Sequence, residues 1–242
     1  GDGYHFARSF GHEITQTRAS LVPLVSLEKW PWQLAGTSLE NVKVAALINN
    51  KKIVIIGALI FTDNGIGGPV VLDMSRYLAD YLPAEKKPIE IILDLAPNLE
   101  QSALDKEITR LLSANPKKRV VNILNEYVPK RIGIFLCKQA GCDEGLAAGQ
   151  LKKDVRKKLI SSIKGLSLSI VSSRDIAEAT VTRGGVSLKE IEPKTMESKI
   201  CPGLFFAGEV LDVDGPCGGY NLQMCFSTAA LAGSAAAQKH SS

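Results

Sequence analysis

Glu209, Asp212, Asp214, a Gly218-Gly219 pair and Asn221 crowd into one stretch, GEVLDVDGPCGGYNLQ at 208–223. An apolar run, Gly203-Leu204-Phe205-Phe206-Ala207, precedes it and reads as a short buried strand. A small, apolar, almost uncharged segment from Leu222 to Ala237 follows and reads as a packed helix. A strand, a glycine loop and a helix N-terminus in that order make a place where backbone N–H groups face a polar ligand.

Two more glycine loops carry candidate chemistry: Thr182-Arg183-Gly184-Gly185-Val186 and Gly65-Ile66-Gly67-Gly68-Pro69. Neither is a dinucleotide or P-loop fingerprint, since Val70 occupies the last position that G-x-G-x-x-G would require. The five cysteines, Cys137, Cys142, Cys201, Cys217 and Cys225, form no C-x-x-C. With His5, His12 and His240 scattered, no zinc pattern emerges, and a reducing, cytoplasmic setting fits best.

The elements that must hold these residues are legible around them. ASLVPLV, NVKVAALI and KKIVIIGALIF are β-branched runs separated by turn residues, and PIEIILDLAP is one more strand. TDNGIGGPVVLDMSRYLADYL reads as a glycine loop entering a helix, with Pro69 in its first turn. Residues 98–164 read as helical, with Leu99, Ala103, Leu104, Ile108, Leu111 and Leu112 at helical period and Pro116 and Pro129 as punctuation. Strands return at LSLSIVSS and DIAEATVT, and a short helix near the start has Asp2 placed to cap it and Gly11 to stop it. The order predicts a nested α/β architecture: a β-rich insert domain (17–97 and 165–180) carrying a helical subdomain (98–164). Both sit inside a third unit of which 1–16 and 181–242 are the edges.

At 242 residues and 45% hydrophobic content the chain can bury a real core. Its 29 Lys/Arg and 25 Asp/Glu give a net charge of +4, and nothing in that balance demands nucleic acid. The densest basic runs, Lys117-Lys118-Arg119 and Lys152 to Lys158, read as solvated loop and helix faces. No run is long and apolar enough for a membrane span, and no signal-peptide pattern is present.

Residues 180–233, TVTRGGVSLKEIEPKTMESKICPGLFFAGEVLDVDGPCGGYNLQMCFSTAALAG, closely resemble the C-terminal signature of HI0933-like flavoproteins, often labelled NAD(FAD)-utilizing dehydrogenases. That family shows T-x-G-G-V-x-x-x-E-I, T-M-x-S-K, G-L-[YF]-F-[AC]-G-E-V-L-D and G-G-Y-N, and all four occur here in order. GDGY at 1–4 with GH at 11–12, and LIFTDNGIGGPVVLDMSR, extend the resemblance across essentially the whole chain.

The resemblance implies that the outer unit is part of a two-part, Rossmann-like FAD-binding domain, and that the parent is an FAD-dependent oxidoreductase. Such an enzyme passes a hydride between bound flavin and a small-molecule substrate, with NAD(P)H as possible co-substrate. Gly208 and Glu209 would then bring a carboxylate to the flavin's ribityl hydroxyls. Gly218, Gly219, Tyr220, Asn221 and Leu222 would point a helix mouth, with about half a positive charge, at the ring. Gly184 and Gly185 would pass close to the ring, beside Thr182, and Arg183 would orient an acidic substrate. Asp63 stands where relatives carry His, so a carboxylate would take over any proton transfer there; Cys217 departs from the family in the same way. Asp212 and Asp214 are expected to cap turns, and His5 and His12 to be structural.

The family's strand–G-x-G-x-x-G–helix would precede Gly1, and a start without Met looks like a cut inside a longer protein. A chain lacking that phosphate anchor is expected to take up flavin weakly. A non-catalytic flavin- or nucleotide-binding protein is the rival reading, and a nucleic-acid-binding helical block at 98–164 is a more distant one.

Overall fold

A computed structural model describes residues 1–239; His240 lies outside them. In chain order the early elements are α1 (Asp2–Ser9), β1 (Arg18–Ser20), β2 (Leu24–Ser26), α2 (Trp30–Gln33), β3 (Ser38–Ile48) and β4 (Lys51–Thr62). Then come β5 (Gly65–Gly67), α3 (Pro69–Leu78), α4 (Tyr81–Glu85) and β6 (Ile89–Asp94). The helical block is α5 (Gln101–Ala114), α6 (Val120–Leu124), α7 (Lys130–Ala140) and α8 (Lys153–Lys164). Finally come β7 (Leu166–Ser173), β8 (Val181–Arg183) and α9 (Tyr220–Lys239). The chain divides into two units, 23–74 with 81–172, and 1–22 with 75–80 and 173–239. The sequence pattern places those joins at 16/17 and 180/181.

The first of these is a closed antiparallel barrel with strand order β2-β5-β4-β3-β6-β7. Alternation builds it: Val42, Val44, Ala46 and Ile48 of β3 point inward while Lys43, Ala45 and Leu47 do not. Asn49-Asn50, both at positive φ, join β3 to β4 in a two-residue hairpin of the sort that matches strand twist. Phe61, Ile66, Ile91, Leu93 and Ile170 fill the interior without solvent exposure.

Residues 65–67, read from sequence as a glycine loop, are the strand that closes the barrel between β2 and β4. A Cβ at Gly65 would lie 2.3 Å from the Leu24 carbonyl oxygen, so only glycine lets the strands approach this closely.

Leu104, Ile108, Ile123, Leu124, Ile132 and Ile163 form the interior of the helical block. Phe135 stacks on Trp30 at 4.9 Å, and Arg131 donates to the Gln33 and Ala35 carbonyls, which fixes α7 against α2. Asp94, 3% exposed, takes Lys164 at 2.7 Å and Lys43 at 3.2 Å.

The other unit is mostly irregular. One apolar cluster of its core is Ala7, Val186, Ile191, Met196, Phe206, Leu211 and Ala232. β1 and β8 make a two-stranded antiparallel sheet. Three sequence expectations are corrected here. Residues 203–207 form no strand: Phe205 makes one bridge to Glu197, and a 3-10 turn follows at Gly208–Val210, because no neighbouring strand offers a ladder to the apolar run. DIAEATVT is a 3-10 turn at Ile176–Glu178 and then only the three residues of β8. Asp2 lies inside the first turn of α1, whose N-cap is Gly1. Among the described residues this unit shows no parallel strand pair beyond the isolated Val186–Leu211 bridge, so a Rossmann-like sheet is not visible in it.

Candidate functional site

Glu209 sits in the 3-10 turn, exposed, and its Oε1 accepts the Thr182 backbone N–H at 2.7 Å. Its other carboxylate oxygen makes no hydrogen bond among the described residues. Tyr4 donates its hydroxyl to the Glu209 carbonyl at 3.4 Å. Burial, with the Glu209 charge adding to it, pushes the Tyr4 phenol above its ordinary value. The turn is pinned behind by Thr228 of α9, whose Oγ1 accepts the Gly208 N–H at 2.9 Å.

The mouth of α9 is open. Gly218 and Gly219 have φ of +108 and +89, a region that favours glycine. A Cβ at Gly219 would meet no atom within 4 Å. The first intrahelical bond runs from Gln223 N to Gly219 O, so the preceding N–H groups have no acceptor within the helix. Asn221 serves as a brace: its Oδ1 accepts the Gly215 N–H at 2.7 Å and its Nδ2 donates to the Gly215 carbonyl at 2.9 Å. Tyr220 and Leu222 are 62% and 65% exposed.

Gly184 and Gly185 are needed by the fold itself. Their Cβ atoms would lie 2.3 Å from the Gln16 carbonyl oxygen and 2.5 Å from that of Val210. Arg183, next to them, meets two carboxylates of its own chain, Asp214 at 3.1 Å and Asp80 at 2.9 Å. Asp214 caps no turn. With 8% of its side chain exposed, it collects Arg76 Nε at 2.9 Å, Ser20 Oγ at 2.8 Å and Arg183. Arg76 also donates to its carbonyl.

A second buried group was invisible in the sequence. His12 is hydrogen-bonded to Glu190 through Nδ1 at 2.9 Å and to Ser198 Oγ through Nε2 at 2.8 Å, and it packs edge-on against Phe206. The arrangement has the order of a nucleophilic triad, but Ser198 Oγ already accepts the Ile200 and Cys201 N–H groups. With its lone pairs engaged, Ser198 is a brace, and His12 is structural.

Asp63 belongs to the barrel unit, exposed at the two-residue turn Asp63-Asn64 between β4 and β5. The structure thus brings the 182–185, 208–209 and 218–222 residues into one unit and Asp63 into the other. Cys137 and Cys142 are buried, and burial with their mutual contact pushes the Cys137 thiol far up. No His/Cys/Asp/Glu cluster suited to a metal ion occurs among the described residues. No described helix is long and apolar enough to cross a membrane.

Residues 18–181 match the family described as "HI0933-like protein barrel and H2TH domain". The chain is 34% identical, over 99% of its length and 58% of the relative's, to a 3-dehydro-bile acid delta(4,6)-reductase of Clostridium scindens. It is 35% identical, over 94% of its length and 53% of the relative's, to a ribosomal RNA dihydrouridine synthase of Haemophilus influenzae. The Escherichia coli protein of that name is 32% identical, over 94% of the chain and 54% of the relative. All three names denote oxidoreductases, and the chain spans between 53% and 58% of their lengths.

Proposed function

The chain belongs to the HI0933-like family, and on that premise we propose that it supplies the ring-side part of a flavin-dependent oxidoreductase. The relatives' names are those of a delta(4,6)-reductase of a 3-dehydro-bile acid and of dihydrouridine synthases, and we read both as adding hydrogen to a double bond. The proposed reaction is therefore reduction of a carbonyl-conjugated double bond, in which a hydride adds to the far carbon and a proton to the near one.

The observations that carry the reading are the half-free carboxylate of Glu209 and the open mouth of α9, which belong to one unit. One carboxylate oxygen is aimed by the Thr182 N–H and the other is left for hydroxyl donors. A Cβ at Gly219 would meet no protein atom, so the mouth of α9 leaves room for a flat polar group. A bound flavin would supply the hydride. The Tyr220, Asn221 and Leu222 N–H groups would stabilise negative charge at that edge, and Asn221 holds the 215–216 loop clear of it. Arg183, held by Asp80 and Asp214, would position the 182–185 loop. Asp63 remains the proposed proton carrier of the barrel unit.

Phe6, Tyr220, Leu222 and Phe226 are each more than 60% exposed, which is apolar surface for a further dinucleotide-binding segment to cover. Without that segment the chain takes up flavin weakly.

The test is flavin content and anaerobic NAD(P)H-dependent reduction of a conjugated enone by the full-length protein. Glu209→Ala should weaken flavin binding about 10- to 100-fold, the worth of one or two charge-assisted hydrogen bonds. A colourless full-length protein that oxidises no NAD(P)H overturns the reading. A yellow protein without turnover would favour the non-catalytic flavin-binding alternative.

A further inference from the structure

The strand pairings of the barrel leave part of one edge open. β4 pairs with β3 from Lys51 to Ile60, but with β5 only at Ile60, Phe61 and Thr62. Residues 51–57 therefore have a strand neighbour on one side alone. The hairpin decides which groups are left over. Its two-residue turn at Asn49-Asn50 makes Ile48 and Lys51 the first hydrogen-bonded pair, and such pairs recur at every second residue. Lys51, Ile53, Ile55 and Gly57 thus bond to β3, while Lys52, Val54 and Ile56 aim N–H and C=O away from it. Those three make no hydrogen bond on that side among the described residues.

Nothing in the strand guards this edge. Sheet edges are ordinarily blunted by a proline, a bulge or a charge in mid-strand. Between Lys52 and Asp63 the sequence has no charge and no proline, and the register from Val42 to Ile48 runs without a bulge. Both faces beside the edge are apolar. On the outer face Ile92, Ala45 and Val54 stand in one cross-strand row, with Leu47 and Ile56 next to it. Leu47, Val54 and Ile56 are 62%, 45% and 58% exposed. On the opposite face Ile53 and Ile55 are only half-buried. An open row of backbone groups between two apolar faces is a surface for the addition of a strand.

Charge selects the strand. An in-register parallel copy of β4 would set Lys51 beside Lys51 and Lys52 beside Lys52. Turned antiparallel about Val54, the same strand sets Lys52 opposite Ile56 and Lys51 opposite Gly57, so no like charges meet. In that register positions 52, 54 and 56 of one copy face 56, 54 and 52 of the other, and every outward backbone group finds a partner. Val54 meets Val54 on the outer face, and Ile53 meets Ile55 on the other. One two-fold rotation satisfies backbone, charge and apolar surface together, as a self-complementary contact requires.

We propose that β4 pairs edge to edge and antiparallel with β4 of a second copy of this chain, joining the two barrel sheets across a two-fold axis at Val54. The residues that make the contact all belong to the barrel unit, and the proposal draws nothing from the flavin reading.

The experiment is light scattering and sedimentation equilibrium of the full-length protein, which should be a dimer. Val54→Lys sets two ammonium groups together at the axis and should weaken the dimer about 10- to 100-fold. Val54→Pro removes an N–H that β3 does not use, so the hairpin survives while pairing falls at least as far. An equal mixture of Val54→Lys and Val54→Glu should recover the parent's affinity to within about tenfold, as only a position facing its own copy can. Hydrogen exchange reads the edge itself: the Val54 and Ile56 amides should gain protection as protein concentration rises. A monomer at every concentration overturns the proposal, as does a dimer that Val54→Lys leaves intact or a mixture that shows no recovery. Protection of those amides in a monomer also overturns it, since another segment of the full-length chain then covers the edge.

Discussion

Phe61 and Asp214 are both shielded, the first with no exposure and the second with 8% of its side chain exposed, yet they hold their units by different physics. Around Phe61 the barrel excludes water with alternating aliphatic side chains and closes on itself through β5. Around Asp214 the other unit adds to its apolar packing a carboxylate shared by Ser20, Arg76 and Arg183. Apolar packing is non-directional and tolerates small shifts, whereas a buried charge is stable only while its donors stay in place. The difference is that the barrel rests on packing and the irregular unit on charges held in place by their partners.

The comparison can be broken by mutation. Phe61→Ala should cost about 3–5 kcal/mol, read as a lower urea midpoint; a loss below about 1 kcal/mol would mean the barrel does not depend on its interior. Asp214→Ala should cost about 3 kcal/mol, because two guanidinium groups lose the same partner. Hydrogen exchange of the 182–186 amides should accelerate with it, and unchanged protection would show that the network is ornamental. His12→Phe keeps the ring contact with Phe206 but strands Glu190 and Ser198, and should lower stability by about 2 kcal/mol.

The smallest effect distinguishes the units by pH. Cys137 and Cys142, in the helical block, are raised by burial, so the folded state keeps protons that the unfolded thiols release near pH 8.5. Their contribution is complete below that pH and declines as pH rises above it. Cys137→Ala/Cys142→Ala should flatten stability between about pH 8.5 and 10, and an identical slope in the variant would contradict the assignment.

Much of the architecture was legible before any coordinates. β3, β4 and β6 follow their alternation, α5 its helical stripe, and α7 ends at Gly141 in the left-handed conformation. Of the 208–223 stretch the helix was legible, starting at Tyr220 just after the glycine pair, because the glycines and the small apolar run are local signals. Arg183 and Asp214 were singled out, but as a substrate contact and a cap, since neither residue's neighbours name its partner.

The alternation of the long barrel strands, the stripe of α5 and the turn at Pro69 were written in the sequence itself, because period and turn chemistry act over a few residues. Tertiary structure alone decided that 65–67 closes a barrel, that 203–207 stays irregular, and that 51–57 has a strand neighbour on one side only. It also joined Arg76 to Asp214 and His12 to Glu190, across 138 and 178 positions. Such pairs leave no periodic trace, because what fixes them is the burial of one polar group against another after the chain has folded back on itself.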